Sequence, residues 1–493
     1  MSSQVDATMT SATTDVDVVI LGAGFSGLCA AIELQRRTDL TYVVLEKAHD
    51  LGGTWRDNTY PGVACDVPSH LYSFSFAPNP RWSKSYGNGA EIHAYMRDCA
   101  EQFGVREHIV CDARAESAVW DDGHWTVSTP DGRRFVGRHL IAGLGGLHTP
   151  NIPDLPGLDT FSGDWFHSAR WNHDVELAGK RVAMVGTGAT AVQSAPEIAK
   201  LADEFFVFQR SPIWCGPKND RPYAAELQDR FEADPELLRQ HRWGLWQSWE
   251  TSGVDIMKSG TAANTAAMEN ARQNIVRSIT DPDLAAKLTP DYNITCKRPT
   301  FSNDYYPMFN RPNVHLITEG IDEITPSGLR TAGHELALDV IVLATGFKAF
   351  NITNEIDIRG LDGISLDDAW SERVSSYRTV MAHGFPNLFM LLGPNSAGLT
   401  SSLQMIEAAS TFAVDVIEDT EASDSVGVHP RTEEVNMFTD RVDRATSTTT
   451  ANQGCNSWWT AGGVSHVLWP ESSVTYRMML RDIDTRHFET VGG

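Results

Sequence analysis

The 493-residue sequence predicts an α/β protein with two Rossmann-like dinucleotide-binding domains, the second inserted in the first, and a helical subdomain. Three observations carry that reading: one strand–glycine turn–helix design occurs twice, the stretch from Pro217 to Pro290 has helical texture, and strand-like runs return after it. The first copy runs Asp17-Val-Val-Ile-Leu21, then Gly22-Ala-Gly24-Phe-Ser26-Gly27, then helical spacing through Leu28–Arg37. The second runs Arg181-Val-Ala-Met-Val185, then Gly186-Thr187-Gly188-Ala189-Thr190-Ala191, then a helix to Lys200. In such a turn the first glycine bends the chain, the second lets backbone amides approach a pyrophosphate, and the third lets helix pack on strand. One such turn is weak evidence. Two in the same context are strong.

The strands that follow distinguish the copies. Thr41–Leu45 ends in Glu46, about 20 residues past the third glycine, where a carboxylate accepts bonds from a ribose 2′-hydroxyl. Glu204–Phe208 instead ends in Gln209-Arg210-Ser211. Arg210 would pair with a 2′-phosphate that a carboxylate would repel. The first site therefore suits a dinucleotide without that phosphate, and the second suits NADPH. The bland alternative, that Glu46 and Arg210 are solvated strand ends, does not explain the pairing.

Beyond the second copy, Asp234-Pro235-Glu236 and Asp281-Pro282-Asp283 read as helix caps with proline at the first helical position. Trp243, Trp246 and Trp249 recur on the helix between them, as core packing or as the wall of an apolar cavity. Val314–Ile317, Leu336–Leu338 and Asp339–Thr345 return to strand character. Leu388–Leu392 is a further strand, leading through Gly393-Pro394-Asn395 to a helix from about Ser402.

Composition narrows the function. With 40 basic and 64 acidic residues the net charge is −24, a field that repels nucleic acid and anionic membranes. No apolar run approaches the ~18 residues of a bilayer span, and the polar first residues do not read as a signal peptide. A cytoplasmic location is expected. The seven cysteines are scattered, without a CxxC or Cys–His cluster, so neither a disulfide framework, a dithiol centre nor a metal site is indicated.

Phe161-Ser-Gly163-Asp-Trp-Phe-His167-Ser-Ala-Arg-Trp171-Asn172, between the two turns, is similar to the fingerprint FxGxxxHxxxW of the class B flavoprotein monooxygenases. Trp171 resembles the Baeyer–Villiger branch, where the N- and S-oxygenating relatives have Tyr or Phe; Asn172 departs from its final Pro or Asp. The resemblance runs from about Val16 to the carboxy terminus. It implies FAD in the first site and NADPH in the second. It also divides the chain into a disordered tail (1–14), an FAD-binding domain (15–155 and 385–493), an NADP-binding domain (156–216 and 330–384) and a helical subdomain (217–329).

Residue by residue, the resemblance implies that Gly22, Gly24, Ser26 and Gly27 cradle the FAD pyrophosphate, with Glu46 on the ribose. Thr54, Trp55, Arg56 and Asp57, in the GGTW segment, would lie by the flavin, as would Asp66 and Tyr72, with Ala115 at the adenine. Gly186, Thr187, Gly188, Ala189, Thr190 and Gln193 would hold NADP, with Arg210, Ser211 and Lys297 at its 2′-phosphate. Trp458 resembles a tryptophan that folds over the nicotinamide side. Arg298 would be the active-site arginine, holding the anionic flavin peroxide and then the oxyanion, with Asp66 positioning it. The implied reaction inserts one atom of O2 into a ketone, giving an ester or lactone, and releases the other as water. His167, despite its fingerprint position, reads as structural, and Cys65 as a small packed residue.

Other readings are heteroatom oxidation, which Trp171 and Arg298 oppose; a pyridine-nucleotide:disulfide oxidoreductase, which lacks its cysteine pair here; and a redox-sensing flavoprotein without oxygen insertion. The tryptophan row, Met257, Phe350 and Asn395–Gln404 are candidate pocket material.

Overall fold

In the computed structural model, residues 13–349, 353, 355–452, 457, 460 and 465–492 are described. Thr13–Leu21 is the central strand of the first sheet, and its last four residues are fully buried, as an apolar run flanked by helices on both faces must be. It pairs in parallel with Tyr42–Leu45 on one side and Arg134–Ala142 on the other. Leu388–Met390 adds in parallel to the latter. An antiparallel flap, Ser117–Asp121 and His124–Ser128, extends the sheet to Asp357–Arg359. The helices Phe25–Arg37 and Ser402–Glu421 share the core on one face.

The second sheet is all parallel, in the order Val314–Ile317, Glu204–Phe208, Arg181–Val185, Val340–Leu343, Asp164–His167. A three-stranded antiparallel meander, Ile321–Ala337, sits beside it. Both sheets carry their glycine turns where expected. At Gly22 φ is +92°, and a Cβ on Gly27 would lie 1.8 Å from the Gly22 carbonyl oxygen, so neither position admits another residue without rebuilding the turn. In the second copy the third position is Ala191, and it is fully buried against its own sheet.

Four helices, Ala225–Ala233, Pro235–Ile256, Ala262–Ser278 and Pro282–Leu288, make the excursion. Asp234 accepts the N–H groups of Glu236 and Leu237 at 3.0 and 3.2 Å, and Asp281 that of Asp283 at 2.9 Å. The tryptophan row divides: Trp243 is 60% exposed, whereas Trp246 and Trp249 pack on the first domain's core. Trp249 and Met257 line a small hollow with Leu399 and Met405.

Sheet membership departs from the expected division at three points. The chain re-enters the first sheet at Asp357–Arg359, earlier than 385, through a strand too short and too polar to read from pattern. Val314–Ile317, placed in the 217–329 subdomain, is the edge strand of the second sheet. Thr13 and Thr14, assigned to the tail, already belong to the first strand; the rest of that tail lies outside the described residues. Cys29, Cys65, Cys99, Cys111 and Cys215 are free, and Cys296 is disulfide-bonded. Among the described residues no helix is long and apolar enough to cross a membrane.

Candidate active site

The carboxyl ends of both sheets open on one cavity of about 1840 Å³, lined by both glycine turns. That exceeds the ~300–1,000 Å³ of a single-ligand pocket. Each turn delivers a helix whose first residue follows a glycine cap, Gly24 or Gly188, with no side chain on the first amides. Those N–H groups, at the positive end of the helix, remain for an anion. A Cβ at Gly188 would meet nothing within 4 Å, and one at Gly24 only the Gly53 Cα at 4.0 Å, so both turns face open space. The cradles fit two dinucleotide pyrophosphates.

Around the first cradle Glu46 is buried and heavily engaged. One of its oxygens accepts the Ala23 N–H at 2.9 Å, and the other accepts the Ala48 N–H at 3.0 Å and Arg56 Nη1 at 2.9 Å. Arg56 also bonds Asp57, and this charged set borders the cavity beside Thr54. Trp55 Nε1 donates to the Tyr72 hydroxyl at 3.1 Å, and burial holds that phenol well above its ordinary range. Ser26 and Ala115 line the same wall.

Around the second, the Thr187 hydroxyl donates to the Ser211 carbonyl at 2.9 Å and fixes the turn against the strand end. Lys297 donates to the Ser211 hydroxyl and lies 4.8 Å over the Tyr292 ring. Burial, then the charge of Arg210, lowers the Lys297 ammonium pKa. Neither Arg210 nor Lys297 has a salt bridge within 4.0 Å among the described residues. Two neighbouring cations outside any such salt bridge have the chemistry to hold an anion, although the carboxylate of Asp291 also acts on Lys297. Gln193 has another occupation: its amide accepts from the Tyr60 hydroxyl at 3.0 Å and donates to the Ala64 carbonyl at 2.9 Å, tying the second helix to the first domain.

Between the cradles, Arg298 Nε and Nη2 donate to the two Asp66 oxygens at 2.9 and 3.3 Å. Both side chains line the cavity and are about a quarter exposed, at 27% and 25%. Burial pushes the Asp66 carboxyl pKa up, but the Arg298 guanidinium, then Lys218, outweighs it and holds the group below the usual carboxylate range. Asp66, in turn, raises Arg298. Cys65 beside the pair is buried, and its thiol pKa is raised, so it is no nucleophile.

His167 stands apart. It is buried, its Nδ1 accepts the Ala169 N–H at 3.1 Å, and burial lowers its pKa. It does not line the cavity. Trp458 and Phe350 lie outside the described residues. Sequence reasoning passed over Gly143-Leu-Gly-Gly146, which crosses from the first sheet along the cavity. A Cβ on Gly143 would lie 2.8 Å from the Gly27 nitrogen; three glycines in four residues after a buried strand were the available signal.

Comparison with known proteins agrees with this geometry. Residues 15–234 match the FMO-like, flavin-binding monooxygenase-like family. A Baeyer-Villiger monooxygenase of Streptomyces coelicolor is 38% identical over 483 residues, covering 97% of this chain and 93% of that protein. A Baeyer-Villiger monooxygenase of Pseudomonas aeruginosa is 36% identical, covering 95% of this chain and 90% of that protein. The crystal structure of cyclohexanone monooxygenase from Rhodococcus sp. Phi1 bound to NADP+ superposes with a TM-score of 0.89 at 32% identity, over 98% of this chain and all of that one.

Proposed function

Because this chain belongs to the Baeyer–Villiger monooxygenases of the flavin-binding monooxygenase-like family, we propose that it uses NADPH and dioxygen to convert a ketone into an ester or lactone. One oxygen atom enters the product, and the other leaves as water with the two electrons of NADPH. The observation that carries the reading is the bidentate Asp66–Arg298 pair, set in the cavity between two dinucleotide cradles. FAD, when bound, supplies the redox chemistry, taking hydride from NADPH and activating dioxygen.

The chain's own residues do the rest. Gly22, Gly24 and Gly27 shape the first cradle, with Ser26 at its helix start and Glu46 and Arg56 at its rim. Gly186, Thr187, Gly188, Ala189 and Thr190 shape the second, with Arg210, Ser211 and Lys297 at the coenzyme 2′-phosphate. The Asp66 contacts use Nε and one Nη2 proton of Arg298, leaving three of the five guanidinium donors for the cavity. These stabilise negative charge as it develops on oxygen during insertion. Asp66 supplies the anion that makes a buried guanidinium tolerable, and aims it.

Product analysis by mass spectrometry tests the reaction. FAD-loaded protein is run aerobically with NADPH on linear, cyclic and polycyclic ketones and on thioethers. The expected outcome is an ester or lactone from at least one ketone; sulfoxides with no ester from any ketone would reject it.

Arg210→Ala tests the coenzyme site. A charge-assisted bond to phosphate contributes about 1.5–3 kcal/mol, and each 1.4 kcal/mol is about tenfold in affinity. Steady-state kinetics should show KM for NADPH rising by about ten- to a hundredfold, with KM for NADH nearly unchanged.

A further inference from the structure

Away from the cavity, three chain segments converge at one end of the first domain. The antiparallel strands Gly427–Pro430 and Phe488–Val491 set His429 directly opposite Glu489. The turn His383-Gly384, which precedes the strand Leu388–Met390, lies against them, with the His383 and His429 rings edge-on at 5.0 Å. One donor atom from each of His383, His429 and Glu489 falls within 4.8 Å of the others, the only such grouping among the described residues. None of the three lines the cavity.

We propose that His383, His429 and Glu489 form a site for one divalent metal ion of the zinc class. Two imidazoles and a carboxylate are a donor set such an ion takes, and a fourth position is left for water. Ligating histidines are usually oriented by a bond from the nitrogen that does not meet the metal. Here the Pro430 carbonyl serves both rings: it accepts His383 Nδ1–H at 2.9 Å and lies 3.4 Å from His429 Nδ1. Nε2 of each ring is then the ligand atom, and His429 Nε2 already sits 3.9 Å from a Glu489 oxygen. The other Glu489 oxygen faces Arg431 at 3.8 Å, so the arginine does not occupy the ligating one.

Two contacts change on binding. His429 Nδ1 lies 3.3 Å from the Gly384 N–H, a long bond that the metal-bound tautomer gives up for Pro430. Zinc–nitrogen and zinc–oxygen bonds of about 2.0–2.2 Å bring ligands to within ~3.5 Å of each other, so donor atoms standing as far as 4.8 Å apart close by roughly 1.3 Å. His383 is exposed on its turn and can make that movement; His429, buried on its strand, stays. The site would tie the C-terminal strand to the turn ahead of Leu388–Met390, whose end reaches the cavity wall at Met390–Gly393.

The test uses tag-free, FAD-loaded full-length protein, stripped with a chelator and titrated with zinc chloride against a chromophoric competitor. Wild type is expected to take up one equivalent with micromolar or tighter affinity. His383→Asn and Glu489→Gln are each expected to weaken it at least tenfold, while the metal-free melting profile and the rate of NADPH oxidation match wild type. His429→Asn, at the buried position, is expected to weaken zinc binding at least tenfold as well. Failure of wild type to bind, or equal binding by His383→Asn and Glu489→Gln, overturns the proposal.

Discussion

Arg298→Ala is expected to lower ester formation by about 10²–10³-fold, the ~2.7–4 kcal/mol lost when one preorganised oxyanion donor is removed. The FAD reduction step should survive, because the residues assigned to NADPH, namely the second glycine turn with Arg210, Ser211 and Lys297, are untouched. Stopped-flow bleaching of the flavin absorbance by NADPH without oxygen reads that step, and mass spectrometry of the ketone product reads the other. Arg298→Lys separates charge from geometry. A lysine restores one positive charge but cannot hold both Asp66 oxygens and still offer a fork to the cavity. It is expected to recover only part of the lost rate. Equal loss of flavin reduction and ester formation in Arg298→Ala would instead mean that Arg298 supports the coenzyme site and not oxygen insertion.

How much of this was legible in the sequence depends on the distance over which each contact acts. The glycine turns were legible because a strand, a turn and a helix are consecutive, and the steric demand at Gly22 and Gly27 is local. Glu46 was legible by its offset from that turn, but not its bond to Arg56 or to the Ala23 amide. Asp66 and Arg298 are 232 residues apart, and no periodicity joins them; only the family resemblance placed them together. Gln193 carries a contact of the same long-range kind: the resemblance implied a place at the coenzyme, and on the cavity wall its amide also bonds Tyr60 and Ala64 across the domain junction. The flap Ser117–Ser128 and the strand Asp357–Arg359 went unread: the first lies outside the two strand–turn–helix units, and the second is three residues with one apolar side chain between two charged ones.

Asp66→Ala is expected to cost both activity and stability, and pH separates the two effects. Removing the anion leaves the Arg298 guanidinium without its bidentate partner, in a site where the cation Lys218 also acts. Breaking a buried pair costs about 3–5 kcal/mol; with a quarter of each side chain exposed, the lower end applies. Ester formation should fall with it, since nothing then aims Arg298. Because the folded Asp66 pKa lies below its unfolded value of about 3.9, the stability it contributes is fully present above that value and disappears as pH falls through the folded pKa. The gap between wild type and variant, measured by chemical denaturation, should therefore be flat from about pH 5 to 8 and shrink only below about pH 4. Asp66→Asn keeps the shape and one acceptor but loses the charge. If it matches wild type in stability and in ester formation, the pair works by hydrogen-bond geometry alone. If it follows Asp66→Ala, the charge of Asp66 is what holds Arg298 in place.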